Sequence, residues 1–106
     1  MTKAVMYWSR MRLEVDGHAG GGEKGKDLIC AGVSAIISAL CEALRLAENR
    51  GRCESECEDE DGHAEVWAFP SMGYSNEIRA YFKMCIAGLR LIARTYPGNV
   101  KVEEVN

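Results

Sequence analysis

Cys30 and His18 are the two residues whose types and spacing point most directly to chemistry. They lie twelve positions apart, and a cysteine with a histidine nearby is the usual arrangement of a thiol nucleophile and its general base. The thiolate is the reactive form of cysteine, and the N-terminus of a helix is one setting that lowers the pKa of a thiol. The chemistry to expect of such a pair is acyl transfer through a covalent intermediate.

Cys30 lies near the start of a predicted helix. Asp27 is a good N-cap for a helix that runs to about Asn49, which would make Cys30 its third helical residue. The unpaired N–H groups and the positive dipole at that end favour an anion and could stabilise the oxyanion of acyl transfer. Ser34 lies one turn further on the same face, where it could hydrogen-bond within the site. Asp27 could also orient the histidine or bind a substrate backbone.

His18 follows a predicted strand and opens a glycine-rich segment. Residues 17–25 include five glycines, so the segment cannot pack a core and is expected to be a mobile loop that returns the imidazole to the sulfur. Plainer interpretations stay open, because a histidine before a loop is commonly a surface residue and a cysteine in a first helical turn commonly packs in the core. A phosphate-binding loop is a further alternative, although the segment lacks the Gly-Lys-Ser/Thr ending of a P-loop.

The other elements are predicted from hydrophobic periodicity and from turn residues. Strands are expected at 3–8, 12–16, 53–57, 64–69 and 100–105, with turns near 9–11 and at 58–62 and a second helix at 75–95. This order predicts an α+β domain over residues 1–106, with one mixed, mainly antiparallel sheet and two helices packed on one face. The other face of the sheet would then need cover.

Composition and charge narrow the function classes. The net charge of −3 argues against a nucleic-acid binder, which usually shows a basic face. No basic leader followed by an apolar run opens the sequence, so the odd number of cysteines, five, indicates thiols in a reducing compartment. The apolar stretch 28–46 contains Glu42 and Arg45 and is interpreted as a buried amphipathic helix. We therefore expect a cytoplasmic protein, without a cofactor and without a membrane partner.

Two further groups of polar residues have competing interpretations. The acidic run 54–61 could steer a basic substrate, although charge runs of this kind usually face water. Cys53, Cys57 and His63 could suggest zinc or thiol redox chemistry, but a fourth ligand is missing and a strand would space the two sulfurs widely. We therefore expect no metal site. His63 is also a possible general base in place of His18.

Residues 17–36, GHAGGGEKGKDLICAGVSAI, resemble the signature of the ribosomal-processing cysteine proteases, the Prp family. The shared pattern is Gly-His-Ala, a glycine-containing loop, Gly-x-Asp-[Ile/Leu]-x-Cys-Ala and then Val-Ser-Ala, with the same His-to-Cys interval. The order of the predicted elements fits the family over nearly the whole chain. The matching residues are Gly17, His18, Ala19, Gly25, Asp27, Leu28, Cys30, Ala31, Val33, Ser34 and Ala35.

This resemblance implies a function and a site. Members of the family are cysteine endopeptidases that remove a short N-terminal extension from a large-subunit ribosomal protein, and they are known as homodimers. The resemblance implies that Cys30 is the nucleophile and His18 the general base, with no direct contact to nucleic acid. A non-catalytic, ribosome-associated binding module with the same fold is the alternative. The supporting or substrate-binding residues implied by the motif are Asp27, Ser34, Gly17 and Gly25.

Overall fold

Hydrophobic periodicity correctly predicts the order of elements in the computed structural model, which describes residues 1–17, 24–60 and 62–106. Within these ranges the chain forms five strands and two long helices, and a short 3-10 turn at Trp8–Arg10 joins the first two strands. The elements are β1 (Thr2–Tyr7), β2 (Arg12–Asp16), α1 (Lys24–Asn49), β3 (Cys53–Glu60), β4 (His63–Pro70), α2 (Ser75–Thr95) and β5 (Val100–Val105).

The strands form one sheet in the order β3-β4-β2-β1-β5. β1 and β5 run parallel, whereas β1–β2, β2–β4 and β3–β4 are antiparallel. The register places Met6 opposite Leu13 and Leu13 opposite Val66, so buried side chains form rows across one face. The predicted α+β class, with a mixed and mainly antiparallel sheet, is confirmed.

Both helices pack on that face. α1 turns Val33, Ile37 and Leu44 inward at steps of a helical period, and α2 contributes Phe82 and Leu89, both fully buried. By length and composition alone, Leu28–Asn49 would also be long and apolar enough to cross a membrane, a test that core helices pass as well. Here its apolar stripe lies against the sheet and α2, as the sequence interpretation of a buried amphipathic helix requires.

The opposite face of the sheet carries ion pairs at its centre. Arg12 lies 3.1 Å from a carboxylate oxygen of Glu14 and 2.7 Å from one of Glu65. Lys3 and Glu103 form a further pair at 3.5 Å on the β1–β5 side. Trp67 and Phe69 of β4 lie on the same face, with ring centroids 5.3 Å apart, so charged and apolar side chains share it and the expectation that it needs a covering layer stays a prediction.

The hairpin between β1 and β2 turns without glycine. Met11 adopts a left-handed conformation with φ of 48°, and its N–H donates to the carbonyl of Trp8 at 3.2 Å. Such a conformation costs a residue with a side chain about 1–2 kcal/mol. Met11 is 8% exposed, so burial of its side chain offsets that cost.

Two element boundaries differ from the sequence prediction. α1 begins at Lys24, three residues before the predicted N-cap Asp27, because Gly25 costs a long, packed helix only about 1 kcal/mol. β3 continues to Glu60, which pairs with His63, so the predicted turn at 58–62 was too long. Acidic residues can extend an edge strand when their side chains point to water.

Candidate active site

A cavity of about 310 Å³ lies at the edge where β1 begins, β2 ends and α1 crosses the sheet. Cys30 and Ser34 line it from α1, and Gly17 lines it from the end of β2. Gly62 and His63, at the β3–β4 turn, form the opposite wall. The structure therefore brings together four of the residues that the sequence singled out, namely Cys30, Ser34, Gly17 and the alternative base His63.

Cys30 is half-buried and is the seventh residue of α1, in the second helical turn. The prediction that it is the third helical residue was wrong, since Asp27 lies inside the helix and is not its N-cap. The influence of a helix dipole on charge is concentrated in the first turn. A neighbouring base is thus a better source of activation for this thiol than the end of the helix.

Gly17 fixes the backbone directly before His18. Its φ is +95°, and its N–H donates to the carbonyl of Gly62 at 2.9 Å. A Cβ at this position would lie 2.2 Å from the carbonyl oxygen of Met1, so only glycine fits. His18 itself lies outside the described residues, but the residue that precedes it forms the cavity wall.

Two other predicted supporting residues are described only in their backbone. Gly25 and Asp27 are the second and fourth residues of α1, in the helical turn that leads to Cys30. Ser34 is described in full: it is exposed and lies one turn beyond Cys30 at the same cavity. The roles assigned to these three residues stay predictions.

His63 is poorly suited to be the general base. Its Nδ1 contacts Asp16, and its Nε2 lies 3.1 Å from a carboxylate oxygen of Glu65. The hydrogen bond to Asp16, and then that to Glu65, raise the pKa of His63 above its ordinary value. Two carboxylates beside the two ring nitrogens favour the imidazolium, and in that form the ring has no lone pair to accept a proton.

Three polar residues at the cavity were not identified as site residues from the sequence. Asp59 and Glu60 line it from the end of β3, although the sequence placed them in a turn. Thr2 also lines it and is only 3% exposed, with its N–H donating to the carbonyl of Asn99 at 2.9 Å. Pairing of Glu60 with His63 depends on strand register, which the local pattern of charges does not reveal.

Cys53 and Cys57 have separate surroundings. Cys53 is 3% exposed, and its sulfur lies 3.7 Å from the carbonyl oxygen of Leu44. Cys57, four residues further along β3, is exposed. Within residues 1–17, 24–60 and 62–106, no group of three or more His, Cys, Asp and Glu side chains could hold a metal ion.

Solved structures resemble this fold over almost its full length. The crystal structure of the ribosomal processing protease Prp from S. aureus with a covalently linked product peptide matches with a TM-score of 0.78 at 21% identity, covering 98% of this chain and 99% of that one. The crystal structure of SMU.848 from Streptococcus mutans has a TM-score of 0.71 at 22% identity, covering 98% and 91%. At these identities the likeness establishes the fold.

Sequence comparison identifies the family. The ribosomal processing cysteine proteases Prp from two Staphylococcus aureus strains, Mu50 and NCTC 8325, are each 26% identical over 88 residues, which cover 83% of this chain and 80% of each relative. The family model for the cysteine protease Prp matches residues 1–101, which confirms the resemblance seen in the motif. Because this match spans nearly all of its 106 residues, the chain belongs to the Prp family and is a cysteine protease.

Proposed function

We propose that this chain is a cytoplasmic endopeptidase that removes a short N-terminal extension from a large-subunit ribosomal protein. The observation that carries the proposal is that Cys30 lines a cavity whose wall includes Gly17, the residue directly before His18. Cys30 and the residue that precedes His18 thus lie at the same edge of the sheet. The family relatives named for ribosomal processing support the choice of substrate.

The proposed mechanism uses two residues for bond making and breaking. His18 accepts the proton of the Cys30 thiol, and the sulfur attacks the carbonyl carbon of the scissile peptide bond. The tetrahedral intermediate collapses to an acyl-enzyme as His18 passes its proton to the leaving amine. Water, deprotonated by His18, then attacks the thioester and forms a second tetrahedral intermediate. Collapse of this intermediate releases the new carboxylate and regenerates the Cys30 thiol.

Two supporting residues complete the proposed site. Ser34 lies one turn beyond Cys30 at the same cavity, where its hydroxyl would hydrogen-bond to the substrate or to the intermediate. Asp27 precedes Cys30 by almost one turn, and we assign it to orienting His18 or to holding the substrate backbone. We assign Gly17 and Gly25 to supporting roles that depend on their backbone, at the two ends of the glycine-rich segment.

Known complexes and the shape of the cavity support a peptide substrate. S. aureus Prp has been solved with a substrate peptide and with a covalently linked product peptide. The cavity of about 310 Å³ is at the lower end of the range for binding pockets, so it would hold part of an extended peptide. Asp59 and Glu60 at its rim would favour a substrate that carries positive charge near the cleaved bond.

The homodimer implied by the family resemblance is also part of the proposal. Phe69 and Met72 are 65% and 99% exposed, which leaves apolar surface that a second copy would cover. Sedimentation analysis over a range of protein concentrations tests this directly. A mass equal to one chain at all concentrations would remove the dimer from the proposal without affecting the protease.

The decisive experiment is mass spectrometry of a ribosomal-protein precursor incubated with the wild type, Cys30→Ala and His18→Ala. We expect cleavage at one bond by the wild type and an intact precursor with both variants. Cys57→Ala removes an exposed thiol outside the cavity and serves as the matched control, with cleavage retained. If the wild type binds the precursor and leaves it intact, the chain is a binding module and the proposal is wrong.

A further inference from the structure

A second cleft, of about 380 Å³, lies between α1 and the edge strand β3, further along the helix that carries Cys30. It brings two thiols to one place: Cys41 from α1 and Cys57 from β3. Polar and charged residues form the rest of its walls, so the cleft is open to water-soluble reagents. The other lining residues are Ser38, Glu42, Arg45, Glu48, Ser55 and Asp59.

Contacts further along the two elements hold α1 and β3 together. A carboxylate oxygen of Glu48 accepts a hydrogen bond from the N–H of Ser55 at 2.6 Å. The Cys53 thiol donates to the carbonyl of Leu44 at 3.7 Å. These contacts hold α1 against β3, so the fold keeps Cys41 and Cys57 in the same cleft.

The two thiols of the cleft differ chemically from the other thiols described in the core. Interaction with the neighbouring Cys57 thiol lowers the pKa of Cys41, and the same interaction raises the pKa of Cys57. The carboxylate of Asp59 acts against the lowering at Cys41. Cys85, by contrast, is 4% exposed, and burial raises its pKa to about 12, so it is a poor nucleophile.

We propose that Cys41 and Cys57 form a reversible intramolecular disulfide when the protein meets a low-molecular-weight disulfide such as oxidised glutathione. The Cys41 thiolate attacks one sulfur of the reagent, breaking its S–S bond and releasing one glutathione thiolate. Once Cys41 is part of the mixed disulfide, it is no longer the thiolate whose interaction raised the pKa of Cys57. Cys57 then loses its proton and attacks the Cys41 sulfur, releasing the second glutathione thiolate. The protein loses two electrons and two protons, and the reagent gains the two electrons.

The disulfide would connect the cleft to the active site. Cys41 lies on the helix that carries Cys30, and Asp59, two residues beyond Cys57, lines both the thiol cleft and the active-site cavity. A covalent link between α1 and β3 would therefore tie together two walls of the active-site cavity. Sequence reasoning paired Cys57 with Cys53 for redox chemistry, whereas the fold pairs it with Cys41.

The test is to treat the wild-type protein with oxidised glutathione, block the remaining thiols with iodoacetamide and digest without reduction. We expect mass spectrometry to show the Cys41 peptide joined to the Cys57 peptide, and dithiothreitol to separate them. The oxidised protein should also unfold at a higher midpoint temperature, because the link restricts the unfolded chain. Cys85→Ala should still form the link, whereas Cys57→Ser should carry glutathione on Cys41.

Two results would overturn the proposal. One is a link that joins Cys41 to Cys85 or to Cys30. The other is wild-type protein that carries glutathione on Cys41 or Cys57 without any internal link after prolonged treatment. Either result would mean that Cys41 and Cys57 do not approach one another closely enough for exchange.

Discussion

The active-site cavity and the thiol cleft lie along one helix, and each contains a partly accessible cysteine. Cys30 faces the ends of the central strands and the glycine-rich segment that begins at Gly17, whereas Cys41 faces a second thiol on the edge strand β3. Cysteines on one helix therefore face the proposed active site in one place and a second thiol in the other. The chemistry of each thiol is decided by the element opposite to it.

Replacing the two cysteines separately gives the largest contrast between the regions. Cys30→Ala removes the proposed nucleophile, and we expect the rate of precursor cleavage to fall on the order of 10⁴-fold or more. Cys41→Ala removes only a thiol of the cleft, and we expect kcat/KM for the same precursor within about twofold of the wild type, because Cys41 does not line the cavity and its replacement by the smaller, apolar alanine keeps the helix.

The assay is cleavage of the full-length precursor under reducing conditions, followed by mass spectrometry at several time points. Reduction prevents a disulfide between the cleft thiols, so any loss of activity in Cys41→Ala reports directly on catalysis. Comparable losses in the two variants would abolish the distinction between cavity and cleft.

Gly17→Ala tests whether the wall of the active-site cavity is as rigid as its geometry indicates. The added Cβ would lie 2.2 Å from the carbonyl oxygen of Met1, at a residue with φ of +95°. We expect the free energy of unfolding to fall by more than about 2 kcal/mol, and cleavage to fall with it. Urea denaturation followed by tryptophan fluorescence measures the first effect.

Gly73→Ala is the matched control, since Gly73 has φ of +91° but no atom within 4 Å of the added Cβ. The free energy of unfolding of this variant should fall only by the cost of the left-handed conformation, about 1 kcal/mol. Equal losses at both positions would mean that the contact with Met1 contributes nothing.

The two regions were not equally predictable from the sequence. Local patterns predicted all five strands and both helices of the described chain, and the spacing of Cys30 and Ser34 on one helix face placed them together correctly. The start of α1 was missed because Gly25 is usually a sign of a loop, yet a long packed helix absorbs its cost. Helix boundaries are decided by such small balances.

Contacts between distant elements were beyond the reach of the sequence pattern. The pairing of Cys41 with Cys57 depends on which strand lies under α1, and the position of His63 beside Asp16 depends on the register of β2 with β4. Both depend on how the sheet assembles, so neither can be predicted from a local periodicity or from the spacing of residues in the sequence.

Neutralising Asp59 tests whether the acidic rim of the cavity acts on the substrate. Asp59→Asn should lower kcat/KM for a basic precursor by roughly two- to fivefold at low salt, because exposed charge pairs contribute about 0.2–1 kcal/mol. The loss should shrink as salt is added, since salt screens the interaction. Glu54→Gln removes the same charge from the far end of β3, outside the cavity, and should have a smaller effect.

If both variants lose activity, the salt series also shows whether the cause is the charge of the whole strand or a change in the fold. Equal, salt-sensitive losses in Asp59→Asn and Glu54→Gln would assign the effect to the overall charge of the strand. Equal losses that do not change with salt would assign it to a change in the fold, and the rim would then have no special role.

His63→Gln should produce the smallest effect of these substitutions. The effect should be seen in how the free energy of unfolding depends on pH. Asp16 and Glu65 raise the pKa of His63 in the folded protein above the value of 6.5 expected in the unfolded chain. The protonated ring therefore stabilises the fold fully below the unfolded pKa, and this contribution is lost as pH rises through the folded pKa. The wild type should be more stable than His63→Gln in mild acid, and the difference should narrow toward alkaline pH. Urea denaturation across that range measures it, and a difference that widens with pH would show that His63 is neutral in the fold and available as a base after all.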